Sequence, residues 1–163
     1  MTPRVSGVEI ERKFVVDEAP EELEPNGSSH IRQGYLAIGE DGAEVRLRDR
    51  DGERTLTAKQ GRGRVRAEEE IELDEDAFER LWPLTEGARL EKRRHLIPAD
   101  ADLTIEIDVY ANDLEGLVIA EIEFPSEDAA AGFRGPDWLG AEVTDDPRFK
   151  AQALAARGPP GAA

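Results

Sequence analysis

The chain has 163 residues, with 21 Lys and Arg against 37 Asp and Glu, for a formal net charge of −16. That length suggests one domain, at roughly 100–200 residues per domain, and 39% apolar residues with 15 glycines approach the globular norm of about 45–50%. The acidity argues against duplex nucleic acid and anionic membranes as partners, since both require basic surface.

The dominant periodicity is two, the strand period. Val8–Val16 places Glu9, Glu11 and Lys13 on one face and Val8, Ile10 and Phe14 on the other, joined by the stem of Arg12. Pro20–Ser29 is Pro/Gly/Ser-rich and reads as a loop. His30–Ile38 is a second strand and Ala43–Asp49 a third, with Glu44, Arg46 and Arg48 opposite Val45 and Leu47. Asp51-Gly52 signals a hairpin turn into a fourth strand, Glu53–Lys59. Gln60–Arg64 is a glycine-rich loop, and Val65–Leu73 alternates again with Arg66, Glu68, Glu70 and Glu72 in phase. Asp74 is placed to cap a short helix through Trp82, stopped by Pro83. Ala88–Ile97 carries Lys92 and Arg94 on one face. Leu103–Tyr110 sets Glu106, Asp108 and Tyr110 opposite Leu103, Ile105, Ile107 and Val109. Leu117–Phe124 sets Glu121 and Glu123 opposite Val118, Ala120, Ile122 and Phe124. Ser126 caps a second helix to about Phe133, Pro136–Gly140 is irregular, and Arg148–Ala156 is expected as a last short helix. Residues 1–156 are expected to form the single domain and 157–163 a disordered tail.

The eight strand candidates are joined mostly by short turns, which favours antiparallel neighbours, and eight such strands can close into a barrel. In most of them the second face carries full charges. If those faces point inward, the interior is a polar tunnel and the apolar outer face is covered by the helices. Carboxylates two apart in a strand project the same way, roughly 6.5–7 Å apart, a spacing that suits oxygen ligands around a hard divalent cation. Glu121-x-Glu123 repeats the pairing of Glu9-x-Glu11, and barrel closure makes the first and last strands neighbours. Arg46, Arg48, Lys59, Lys92 and Arg94 lie in the phase that also holds the acids. Arg offers a planar fork and Lys a point charge to phosphate oxygens, so the set suits a metal-chelated polyphosphate. The ordinary alternative, solvated faces and cross-strand salt bridges, weakens as the pattern recurs from strand to strand. His30 and His95 are isolated and read as structural.

The sequence has no cysteine, which excludes disulfides and thiolate chemistry. It contains no Walker, dinucleotide-binding, H-E-x-x-H or G-x-S-x-G motif. No apolar run approaches the length of about 18 residues that spans a membrane, and the N-terminal residues lack the apolar region of a signal peptide. A cytoplasmic protein, monomer or homodimer, is expected.

Val8-Glu-Ile-Glu-Arg-Lys-Phe-Val-Val16 resembles the E-x-E-x-K signature of the CYTH superfamily, the triphosphate tunnel metalloenzymes. Further stretches resemble the family in order: Arg32–Leu36, Val45–Arg48, Thr55–Lys59, Glu68–Ile71, Leu90–Lys92, Glu106–Tyr110, Ala120–Phe124 and Glu142–Lys150. The resemblance covers about residues 7–156 and is closest to short bacterial inorganic triphosphatases. It implies a mainly β, α+β fold: an eight-stranded antiparallel closed barrel with a few short flanking helices. It also implies a small-molecule triphosphate substrate and Mg²⁺ or Mn²⁺. By position, Glu9, Glu11, Glu121 and Glu123 match the metal-binding glutamates, and Glu70 and Asp108 match further acidic positions. Lys13, Arg46, Arg48, Lys59, Lys92 and Arg94 match the basic lining, and Lys150 a base near the C-terminal helix. Phe149 and Ala151 stand where short members often show Tyr-x-Asn. The implied reaction is hydrolysis of triphosphate to pyrophosphate and phosphate, with Glu121 and Glu123 at the metal that activates water and with Lys59 and Lys92 setting the rate. The family also holds thiamine and RNA triphosphatases and class IV adenylyl cyclases. A non-catalytic polyphosphate- or nucleotide-binding module and a purely structural acidic barrel are the readings of another class.

Overall fold

The computed structural model describes residues 4–6, 10–21, 23, 27–61 and 66–161. Its strands are β1 (Arg4–Ser6), β2 (Glu11–Val15), β3 (Ser28–Ile38), β4 (Glu44–Arg50), β5 (Glu53–Gln60), β6 (Arg66–Glu72), β7 (Arg89–Pro98), β8 (Thr104–Tyr110) and β9 (Val118–Glu123). They form one nine-stranded sheet in the order β1-β6-β5-β4-β3-β7-β8-β9-β2, and every pairing is antiparallel. Three short helices accompany it: α1 (Glu75–Leu81), α2 (Glu127–Gly132) and α3 (Ala151–Arg157). No helix among the described residues is long and apolar enough to cross a membrane.

The sheet's two edges belong to one stretch of chain. β1 pairs with β6 and β2 pairs with β9, and the five steps from Ser6 to Glu11 span at most about 18 Å. Strands so close in the chain bring the two edges of the sheet together, so the sheet curves into a barrel built from nine strands, where eight in a closed ring were expected. Among the described residues no β2–β6 ladder closes it. The other edge of β2 takes the C-terminal segment instead: Gly140 N donates to Val15 O at 2.7 Å, Val15 N to Ala141 O at 2.9 Å and Val143 N to Lys13 O at 2.8 Å. The apolar alternation sets the outer face. Phe14, Val16, Ile105, Ile107, Ala120, Ile122 and Phe124 form a buried cluster with Ala130 of α2. Arg12 lies on this face and donates to the carbonyl of Ala130 at 2.9 Å, which also accepts from Phe133 N at 3.3 Å at the end of α2.

Local chemistry places the turns and caps as the sequence indicates. Asp51 and Gly52 both have positive φ, 51° and 92°, as a two-residue hairpin turn between β4 and β5 requires. Asp74 accepts from Ala77 N at 2.7 Å and Ser126 from Ala129 N at 3.0 Å, capping α1 and α2. On the far side of the barrel Phe78 of α1 is fully buried. There β3 runs so close that a Cβ on Gly34 would lie 2.6 Å from the Thr85 side chain. The expected helix over Arg148–Ala156 is divided. A 3-10 turn at Pro147–Phe149, capped by Asp146 on Arg148 N, ends at an extended Lys150, and α3 starts at Ala151 and includes Arg157.

The expectation that the helices cover the outer face needs correction for α3. Leu154 packs with Leu90, Tyr110, Leu114 and Ile119. Leu90, Tyr110 and Ile119 share the inward phase of Lys92, Asp108 and Glu121, so this apolar cluster and α3 close one end of the interior.

Candidate active site

Above the apolar plug the interior is a charged cavity of about 390 Å³. Its bases come from one side, on strands that flank β3: Arg46 and Arg48 from β4, Lys59 from β5, Lys92 and Arg94 from β7. Its acids come from the other side: Glu106 from β8, Glu121 and Glu123 from β9, Glu11 from β2. Among the strand residues Lys13 on the acid wall and Glu44 on the base wall break this segregation, and the two walls meet where Arg94 Nη1 pairs with Glu106 at 3.3 Å; Asp145, Asp146 and Lys150 join the lining from the C-terminal segment. Cross-strand register holds the acids together. Glu11 stands opposite Glu123, and Glu121 is flanked by Lys13 on β2 and Glu106 on β8.

Asp108 shares the inward phase but is only 1% exposed, and both its oxygens are engaged by bases. Arg94 donates through Nε to Oδ1 at 2.8 Å and through Nη2 to Oδ2 at 3.0 Å, and Lys92 Nζ donates to Oδ2 at 2.8 Å. Burial alone would push this carboxyl up, but the charge of Lys92 and the hydrogen bonds and charge of Arg94 hold it at about 2. Of the two roles open to this acid, ligating a metal or orienting a base, its geometry supports the second. Burial lowers the pKa of Lys92, offset in part by Asp108. Arg94 is held above its ordinary value because its bonds and charge contacts with Asp108 outweigh burial.

Glu70 is exposed, accepts from Thr57 Oγ1 at 2.9 Å and is not among the residues lining the cavity. Glu9 lies outside the described residues, as do residues 62–65 of the glycine-rich loop. Lys150 lines the mouth with Ala151 and Gln152 of α3. Lys13 Nζ reaches Glu121 at 3.2 Å and the carbonyl of Phe149 at 3.1 Å, tying the C-terminal segment to the acid wall. The interior therefore gathers Glu11, Lys13, Arg46, Arg48, Lys59, Lys92, Arg94, Glu121, Glu123 and Lys150 around one space, with Asp108 behind them.

The structure adds lining residues beyond this set. Glu44 is in phase with Arg46 and follows from strand alternation. Tyr35 shares the inward phase of Gln33 and stands opposite Arg46, but no charge in β3 marks that phase. Thr144, Asp145, Asp146 and Gln152 come from the C-terminal segment, where no periodicity marks them.

The acid wall fits a divalent cation. Its donors are all carboxylate oxygens, the hard ligands Mg²⁺ and Mn²⁺ prefer. Burial raises the pKa of Glu106 against the pull of Arg94, with Glu121, Asp108 and Glu123 adding smaller upward pushes. Among the described residues no three acids cluster tightly enough to cage an ion alone. That suits a cation held by few carboxylates and completed by substrate phosphates and water, as Mg²⁺ commonly is.

No protein-family model matches the chain. It is 45% identical over 150 residues to an inorganic triphosphatase of Nitrosomonas europaea, covering 90% of this chain and 96% of that protein. It is 40% identical over 145 residues to an inorganic triphosphatase of Acetivibrio thermocellus, covering 88% and 90%. The crystal structure of the inorganic triphosphatase NE1496 aligns with a TM-score of 0.75 at 43% identity, over 93% of this chain and 96% of that one. A proposed adenylate cyclase from Bacillus halodurans shares the fold at a TM-score of 0.55 and 17% identity, over 77% of this chain and 84% of that one. The charged interior, the ordered strands that build it and these relatives agree: the chain belongs to the inorganic triphosphatases of the CYTH superfamily.

Proposed function

We propose that this protein hydrolyses inorganic triphosphate to pyrophosphate and phosphate, assisted by Mg²⁺ or Mn²⁺. The observation that carries the reading is the segregation of bases and acids onto facing walls of one cavity. A polyanion and a cation can then each meet the opposite charge while remaining in contact with one another. Glu11, Glu121 and Glu123, with Glu9, would hold the metal. When bound, it would neutralise phosphate charge and lower the pKa of water.

The base wall performs the binding. Arg46 and Arg48 present guanidinium forks to phosphate oxygens. Lys92, locked by Asp108, and Lys59 add point charges where negative charge grows on the departing pyrophosphate. A water oxygen bonds to the terminal phosphorus, the bond to the bridging oxygen breaks, and one proton is released. The apolar plug under Lys92, of which Tyr110 is a member, keeps bulk water from that end, strengthening the charge interactions above it.

The test is incubation with inorganic triphosphate, ATP and thiamine triphosphate, each with Mg²⁺ or Mn²⁺, following phosphate and cyclic AMP. Phosphate released preferentially from inorganic triphosphate supports the reading. Cyclic AMP from ATP would replace it with a cyclase, and binding without product with a polyphosphate-binding module.

A further inference from the structure

Gln33 lies on the inward face of β3, fully buried, with both ends of its amide engaged. Arg48 donates through Nε to Gln33 Oε1 at 2.8 Å. A guanidinium can only donate, so the amide must turn its oxygen to Arg48 and its nitrogen to Tyr35, whose hydroxyl oxygen accepts from Nε2 at 2.7 Å. Both partners line the cavity.

Arg48 differs from its neighbours in what holds it. Arg94 has Asp108 at 2.8 Å, Lys92 has Asp108 at 2.8 Å, Lys13 has Glu121 at 3.2 Å and Arg46 has Glu44 at 3.9 Å. Among the described residues no carboxylate lies within ion-pair distance of Arg48, and its hydrogen-bond partner there is a neutral amide. Burial, with the like charges of Arg46 and Arg94, outweighs the charge of Asp108 and lowers its pKa to about 10, which still leaves it protonated at neutral pH. A buried cation with no carboxylate in ion-pair reach lowers stability, and an anion entering the cavity relieves it. Tyr35 is arranged similarly. Its oxygen accepts from Gln33, so that bond does not use its one hydrogen.

We propose that Gln33 is a positioning residue that fixes Arg48 and Tyr35 with a neutral amide, so that the guanidinium charge and the phenolic hydrogen both remain available to a phosphate. The proposal rests on the reading of the cavity as a phosphate site. A glutamate at 33 would fit the same space and satisfy both neighbours, taking the Arg48 hydrogen bond as an ion pair and the Tyr35 hydrogen as a donor. It would therefore maintain or raise stability while removing both groups from the ligand. A residue with a merely structural role would not move stability and affinity in opposite directions.

The test uses the full chain with Gln33→Glu and Gln33→Met, measuring pyrophosphate binding by calorimetry with Mg²⁺ and thermal unfolding without ligand. Gln33→Glu is expected to bind about tenfold more weakly or worse, about 1.4 kcal/mol, with an unfolding midpoint equal to or above the parent's. Gln33→Met keeps the volume and the Arg48 charge but loses the orienting bonds. It is expected to unfold at a lower temperature and to lose less affinity than Gln33→Glu. Parent-like affinity in Gln33→Glu, or a joint fall of its affinity and stability, overturns the proposal. Failure of the parent itself to bind pyrophosphate would overturn the phosphate-site reading, and the proposal with it.

Discussion

Asp108→Asn removes the charge that two buried bases share while keeping the shape of the side chain. In the folded protein the carboxyl of Asp108 is held at about 2, against 3.8 for an unperturbed aspartate. That depression corresponds to roughly 2 kcal/mol of ionisation-linked stability. The substitution also strands Lys92, 4% exposed, and Arg94 without their shared acid, and breaking a buried pair costs about 3–5 kcal/mol. The amide oxygen can still accept one hydrogen bond, so the lower part of that range is expected.

The pH dependence separates the ionic share from the rest. A carboxyl whose folded pKa is depressed contributes its full stability above its unfolded pKa and loses it as pH falls through the folded value. For Asp108 the window therefore runs from about pH 4 down to about pH 2. Urea unfolding with EDTA should show a constant gap between parent and variant from pH 7 to pH 5. By pH 3 the gap should have narrowed by about 1 kcal/mol. A loss below about 1 kcal/mol at pH 7, or a gap indifferent to acid, would refute the counterion assignment.

Glu11→Gln is expected to raise the Mg²⁺ concentration for half-maximal phosphate release by about tenfold or more, because it removes one anionic oxygen donor; unchanged metal dependence in that titration would remove Glu11 from the ligand set. Lys92→Met should reduce kcat by about 10²–10³, the usual loss on deleting one charge-stabilising donor, with KM for triphosphate changing far less in steady-state kinetics. Gly34→Ala should destabilise the fold by about 1–3 kcal/mol, read in urea melts, because the added Cβ would sit 2.6 Å from Thr85.

Strand alternation made most of the interior legible. In β4 the charged phase is uninterrupted, and in β7 and β9 it holds a charged pair two residues apart, so Arg46, Arg48, Lys92, Arg94, Glu121 and Glu123 are placed on one side by residue spacing alone. What alternation cannot show is depth. Asp108 and Glu106 are two residues apart in the same strand, yet one is sealed behind two bases and the other faces the cavity. Their difference arises from the side chains of β7 opposite them. Glu70 has the right phase, but its oxygen turns to Thr57 on β5 and the side chain stays outside the lining. Tyr35 carries no such mark, because the inward phase of β3 before its bulge is Ile31, Gln33 and Tyr35, with no charge among them. The C-terminal contribution was illegible for another reason. Thr144, Asp145 and Asp146 reach the mouth because residues 140–143 add to the edge of β2, a long-range pairing that carries no local period.

The net charge of −16 suggests a protein that repels anions, and the cavity shows why that inference fails locally. The described side chains lining it include seven bases and seven carboxylates, so the interior is formally balanced while the exterior is strongly acidic. Balance alone would produce internal salt bridges and no ligand affinity. The separation of the two sets onto facing walls is what preserves binding capacity, and the neutral tether on Arg48 preserves it further. A polyanion drawn to the base wall leaves the acids less compensated, which favours a cation there. A cation on the acid wall in turn reduces the repulsion the polyanion meets from Glu106 and its neighbours. The two ligands must then assist one another by the same factor in each direction, because linkage between two sites on one protein is reciprocal. Such coupling lets an acidic protein hold a highly charged anion when a divalent cation accompanies it.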